Sequence, residues 1–335
     1  MGATKPDVGK EAVVPVLMVA VIVTSGCLGG GKVSAEEIRD RSLASMEKVD
    51  SYEFTMEMNT DVEFEGGGSV LGSMGTMSFN VTGEGSVNVT SQEMKMTMTG
   101  RASGFGMNTT VYVVNDTMYF KYSNPLMSDR WIRMNLPYGS WNSQNMLKRQ
   151  KRLLNISEVK YLGSETVDGT ETYVLRVEPD PEKYDKLAIK QLSGAQPGSI
   201  GSLFDPETFK DAFTTENITA KQWIAKDSNY PVKSSVNLSM SLNYSAVFDS
   251  MMKSMNMTTG NGSTRRRMKS LFENVTASYN MKMTMTFSNY NEPVNVELPQ
   301  GAENATSFRG MLGNMKTGRG TGMGSSSKGS TESAP

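Results

Sequence analysis

From residue 52 the chain alternates apolar and polar side chains with a period of two. Tyr52, Phe54, Met56, Met58, Val62 and Phe64 share one parity, while Glu53, Thr55, Glu57, Asn59, Asp61 and Glu63 occupy the other. Successive side chains of a strand point to opposite faces, so the pattern demands a strand with one buried face and is incompatible with a helix. At ~3.3 Å per residue the strand would run ~43 Å, well beyond the usual strand length.

The pattern recurs along the chain. Met77, Phe79, Val81, Val87 and Val89 alternate with Ser78, Asn80, Thr82, Glu84, Ser86 and Asn88, and Gly83 and Gly85 are expected to mark a bend or bulge. Met94, Met96 and Met98 follow against Lys95, Thr97 and Thr99. Asn115-Asp116 between 111–114 and 118–122, and Asp168-Gly169 between 158–166 and 171–178, read as tight hairpin turns. Asp227–Pro231 turns the chain between 217–226 and 232–244, and a last long strand, 275–287, carries Tyr279, Met281, Met283, Met285 and Phe287 on one face.

Strands with one apolar face need a cover, and short helices can supply it. Ser34 and Glu37 form a capping box ahead of Ile38, Leu43, Met46 and Val49. Residues 142–154, 181–192 and 203–214 read as further helices, and 249–272 as a Met-rich, basic loop. The expected fold is α+β: a strongly curved antiparallel sheet, an open half-barrel, wrapped around a few short helices. It forms one domain over 34–299, followed by a flexible Gly/Ser/Thr-rich tail at 300–335.

The N-terminus predicts location. Residues 12–25 form an apolar run of signal-peptide length, too short to span a bilayer comfortably, and end in Thr24-Ser25-Gly26-Cys27. This resembles a lipobox. Residues 1–26 would be removed, Cys27 would carry lipid, and 27–33 would form a Gly-rich tether. Lipoboxes of bacteria prefer Leu where Thr24 stands, and an uncleaved anchor with an incidental cysteine is the alternative. Either way the folded part lies outside the cell membrane.

Twelve Asn-x-Ser/Thr sequons agree with an exterior location: Asn80, Asn88, Asn108, Asn115, Asn155, Asn217, Asn237, Asn243, Asn256, Asn261, Asn274 and Asn304. Composition alone would produce about five. A glycosylated, lipid-anchored chain of this kind resembles an archaeal surface lipoprotein.

Several function classes are disfavoured. The 34 Lys+Arg balance 35 Asp+Glu, which offers no general attraction for nucleic acid. The chain has no histidine, so the usual general base, His-activated nucleophiles and the commonest transition-metal ligand are missing. Asp180, Glu182, Asp185, Asp205, Glu207 and Asp211 have no spacing that pairs them for acid/base work or builds a metal site. No enzyme, cofactor or metal is expected. The basic clusters Lys148-Arg149-Lys151-Arg152 and Arg265-Arg266-Arg267-Lys269 read either as lipid-phosphate contacts or as solvated faces.

The segments IRDRSLASMEKVDSYEFTMEM, VYVVNDTMYFKY with RWIRM, YLGSETVDGTETYVLRVEP, AKQWIAKDSNYPVKSSVNL and VNVELP together resemble the LolA/LppX-type lipoprotein-carrier superfamily over most of residues 35–299. That resemblance implies a half-barrel closed by helices around a cavity for acyl chains, and it carries over no catalytic residues. The residues expected to line such a cavity are Phe54, Met56, Met58, Phe79, Met94, Met96, Met98, Met240, Met281, Met283 and Met285. Flexible thioethers suit an adaptable apolar site, but they also suit ordinary core filling, and both readings stand at this point. The functional expectation is binding of a lipid or other hydrophobic molecule for transport or presentation at the envelope. The alternative is a structural or adhesion surface lipoprotein without a small-molecule ligand.

Overall fold

The computed structural model describes residues 33–66, 75–102, 105–124, 127–136, 141, 145–193, 212–254, 270 and 272–308. The signal-peptide region, Cys27 and the tether, most of the helix expected at 203–214, Asn256, Asn261 and the Arg265–Lys269 cluster lie outside these residues.

Helix α1 spans Ala35–Met46, with the Ser34 hydroxyl accepting from the Glu37 amide. Strands β1 (Ser51–Glu65), β2 (Thr76–Asn88), β3 (Glu93–Ala102), β4 (Phe105–Val114), β5 (Thr117–Asn124) and β6 (Met127–Asn135) follow. Helix α2 (Met146–Asn155) leads into β7 (Ser157–Val167) and β8 (Thr170–Pro179), and α3 (Pro181–Ser193) precedes β9 (Phe213–Ala225). Then come β10 (Pro231–Asn243), α4 (Tyr244–Ser254), β11 (Thr276–Ser288) and the two-residue β12 (Thr306–Ser307).

All twelve strands belong to one open sheet in the order β12-β6-β5-β4-β3-β2-β1-β11-β10-β9-β8-β7. Every pairing is antiparallel except that of β12 with β6. Two runs of neighbouring strands, β1–β6 and β7–β11, meet where β1 pairs with β11. The turns follow their chemistry: Asn115 and Asp116 both have positive φ (50° and 55°), as do Asp168 and Gly169 (47° and 83°), the backbone that two-residue hairpins require.

Helices α1 and α2 pack on each other and on β7, and α3 packs on β9. One core cluster gathers Val49, Tyr52, Phe54, Val87, Met94, Val111, Val113, Trp141, Leu147, Met285 and Phe287. The Asn145 side chain holds this end together, capping α2 through the Lys148 amide and accepting a hydrogen bond from the Tyr52 hydroxyl at 3.2 Å.

Four sequence expectations are corrected. Residues 249–254, expected to begin a loop, belong to α4, which starts at Tyr244 where a strand was expected to end. Gly83 and Gly85 mark no bulge, because β2 pairs continuously with β1 and with β3 through both positions. They are glycines because neighbours lie close: a Cβ at Gly85 would stand 2.6 Å from the Phe54 ring and 2.6 Å from the Lys95 carbonyl oxygen. Residues 213–214, expected to end a helix, open β9, and Phe213 is buried at the inward position opposite Leu242. The stretch beyond Pro299 begins as ordered structure, with a 3-10 turn at Gln300–Ala302 and β12 on the edge of β6, anchored by buried Ala302 and Ala305.

The glycine argument predicts a contrast. Gly85→Ala is expected to lower the unfolding free energy by about 1–3 kcal/mol through overpacking. Gly100→Ala, whose new Cβ would meet nothing closer than 3.8 Å, should leave it nearly unchanged. Urea midpoints of the two variants check this.

Candidate functional site

Cross-strand register places the apolar parity of each strand on one face. Met56 lies opposite Met285, Met58 opposite Met283 and Thr60 opposite Met281 across β1 and β11. On β2, Val81 and Phe79 lie opposite Met58 and Thr60. On β10, Val236, Leu238 and Met240 lie opposite Met283, Met281 and Tyr279. On β3, Met96 and Met98 face Gly85 and Gly83. The acidic parity of β1 (Glu57, Asp61, Glu63 and Glu65) is exposed on the other face.

Burial along this inward wall is uneven. On β1, Tyr52 and Phe54 are buried, Met56, Met58 and Thr60 are only partly so, Val62 is buried again and Phe64 is partly buried. The other central strand repeats the sequence in reverse: Val275 and Ala277 are buried, Tyr279, Met281 and Met283 are partly buried, and Met285 and Phe287 are buried. The two central strands therefore share a partly accessible window between two sealed ends. One end is the core around Tyr52, Phe54 and Phe287. The other is built on α4, where Phe248 stacks on Phe272 (5.2 Å), Phe272 on Tyr244 (6.4 Å), and Tyr244 lies against Phe64 (6.0 Å).

The residues singled out from sequence divide accordingly. Phe54, Met94 and Met285 are buried core. Met56, Met96, Met98 and Met283 are partly buried and pack against that core. Met58, Phe79, Met240 and Met281 are partly buried on the inward parity farther along the strands. Of the sequon asparagines, Asn108, Asn115, Asn155, Asn217, Asn237, Asn243, Asn274 and Asn304 are exposed. Asn80 and Asn88 are partly buried, and their side-chain amides donate to the Asn59 side chain and the Val294 carbonyl.

Sequence reasoning missed the polar members of the window. The Tyr279 and Tyr244 hydroxyls are 2.7 Å apart, and Thr60 supplies a third. Thr60 breaks the apolar parity of β1, a signal available in the alternation itself. Burial, and secondarily the bond to Tyr244, push the Tyr279 hydroxyl well above the usual tyrosine range, so it stays neutral. Burial likewise raises Tyr52 and Tyr290, the latter stacked on Tyr230 at 4.5 Å.

A separate pocket of about 470 Å³ opens between the end of α1 and the start of α2. Met46, Val49, Val89 and Leu147 line it together with Glu47, Lys148 and Lys151, and Lys151 pairs with Glu47. Among the described residues no cluster of acidic residues could hold a metal ion, and no helix is long and apolar enough to cross a membrane. The window offers apolar contact and hydroxyls that can donate and accept hydrogen bonds.

Residues 34–264 match the model of a family of unknown function (DUF6612), and the chain belongs to that family. No curated protein matches it. Among solved structures it is similar to the lipoprotein LppX of Mycobacterium tuberculosis, at 16% identity and a TM-score of 0.36 over 78% of this chain and 96% of that one. It is also similar to LprF from Mycobacterium bovis, at 12% and 0.39 over 79% and 96%. A LolA superfamily protein from Nitrosomonas europaea follows at 11% and 0.21 over 80% and 96%. These neighbours bear the names of the superfamily that the sequence segments resemble.

The buried tyrosines predict an alkaline signature. A tyrosine whose folded-state pKa is raised contributes stability below its unfolded pKa, and that contribution is lost as pH rises from about 10 towards the folded value. Absorbance at 295 nm should show Tyr52, Tyr279 and Tyr290 unionised at pH 11 while the fold persists, with urea midpoints falling above about pH 10. Titration of all twelve tyrosines at pH 11 in the folded state contradicts this burial.

Proposed function

We propose that this protein is an extracytoplasmic lipoprotein, tethered to the cell membrane by lipid on Cys27. It binds a lipid or other hydrophobic molecule in a Met-lined cavity between sheet and helices, for transport or presentation at the envelope. The supporting observation is the window shared by β1 and β11, where Met56, Met58, Met281 and Met283 are left partly accessible between buried Phe54, Met285 and Phe287 on one side and buried Val62 and Ala277 on the other. A core that only filled space would bury its central strands best in the middle. Here the middle is only partly covered. Curvature of the sheet around the helices into a half-barrel belongs to this reading.

The exterior location rests on Thr24-Ser25-Gly26-Cys27 and on the sequons, eight of which stand exposed: Asn108, Asn115, Asn155, Asn217, Asn237, Asn243, Asn274 and Asn304. Non-covalent carriage also needs none of the catalytic groups that the sequence lacks.

Two measurements test the proposal. Native mass spectrometry of protein taken from its own membrane should show a co-purifying apolar molecule, and a charge pair inside the window, Met58→Asp with Met283→Asp, should eliminate it. Ligand-free wild-type protein in repeated preparations overturns the carrier reading. The mature N-terminus should be an acylated Cys27, and Cys27→Ser should release the protein from membranes; an unmodified cysteine overturns the anchor alone.

A further inference from the structure

The window is not apolar throughout, and its polar groups gather towards one end. Tyr279 stands opposite Val62 on β1 and opposite Met240 on β10, and Met240 stands opposite Thr215 on β9. Thr60, opposite Met281, is the diagonal neighbour of Tyr279. Tyr244, at the start of α4, reaches the Tyr279 hydroxyl at 2.7 Å.

The hydrogen-bond inventory of this group is incomplete. Two phenolic hydroxyls have two protons, and their mutual bond uses one, so the other is left to donate elsewhere. The Thr215 hydroxyl is buried, at 7% residue exposure, and has no hydrogen-bond partner among the described residues. A buried hydroxyl without a partner is costly, and a bound acceptor or donor would recover that cost.

Charge narrows the choice of partner. On β1, β2, β9, β10 and β11 the lysines are Lys221, Lys233 and Lys282, all on the outward parity, so the inward faces of these strands carry no cation. A phosphate seated against these strand faces would lose its hydration and gain no counter-charge from the strands. A neutral oxygen would not.

We infer that the site takes an uncharged, oxygen-bearing lipid, whose ester, ether or alcohol oxygen is held by Tyr279, Tyr244 and Thr215 while its hydrocarbon lies along Met58, Met281 and Met283. This rests on the carrier reading above and specifies its ligand class. Tyr279 is suited to the role because its raised pKa keeps it a neutral donor throughout the physiological range.

Binding of three probes carrying the same pyrenyl chain to the delipidated full chain tests the inference: a monoacylglycerol, a plain alkane and a phosphatidylglycerol. Wild type should hold the glycerol ester about tenfold tighter than the alkane, the worth of one net hydrogen bond, and tighter than the phospholipid. The double variant Tyr279→Phe, Thr215→Val should lose that tenfold on the ester and keep its alkane affinity, which also reports an intact fold. Equal wild-type affinity for ester and alkane, or phospholipid binding as tight as the ester, overturns the inference and leaves the carrier reading standing. The inference also fails if the double variant weakens all three probes alike. Failure of every probe to bind wild type removes the carrier reading and the inference with it.

Discussion

The pairing of β1 with β11 is the constraint on which the rest of the structure depends. It joins residues from opposite ends of the domain, in unbroken register from Glu53 opposite Ser288 to Glu65 opposite Thr276, and it unites two runs of strands into one sheet. The side-chain period of a strand is two, so a slip of one residue would carry Met58 or Met283 to the outer face and bring Glu57 or Lys282 inward. Burying those charges unpaired is costly enough to reject the slipped registers. The alternation that specifies each strand thus also specifies how the two halves meet.

The same pairing shapes the wall. The sealed ends draw on different elements: the first on α2 with Trp141 and the Tyr52–Asn145 bond, the second on α4 with its stacked rings. Between them the central strands run on in full hydrogen-bonded register while their side chains lose cover. Backbone order there comes from the ladder, so the side chains can remain partly uncovered without the strands fraying. Gly83 and Gly85 contribute locally, since their missing side chains let Met98 and Phe54 lie across β2.

The strands and hairpins were legible in the sequence because period-two alternation and Asn-Asp or Asp-Gly turns are local signals. The β1–β11 pairing was not, since nothing near Met58 points to Met283. Gly83 and Gly85 were read as a bulge because a missing side chain looks the same in sequence whether the backbone bends or a ring approaches. Phe213 went to a helix because a β9 extension of one more inward residue is weak against the helical pattern before it. The inward parity of the methionines was readable, but which of them are core and which are accessible depends on where α2 and α4 end, a property of packing. Tyr279 passed for one more apolar residue in its strand, and its partner Tyr244, read as the last residue of a strand, opens helix α4.

Methionine and hydroxyl have complementary roles in such a wall. Thioether chains adapt to a tail of almost any shape, because three rotatable bonds and a polarizable sulfur impose little geometry. A wall of methionine alone would therefore select by length and hydrophobicity only. Hydroxyl groups at one end would impose direction on the proposed ligand, since an oxygen-bearing molecule inserted the other way would leave both its own oxygen and Thr215 without partners. Because each end is held by its own aromatic packing, the proposed cargo could fill or leave the wall between them with little change in what holds the sheet. A carrier needs that separation between the contacts that keep it folded and the contacts it exchanges with cargo.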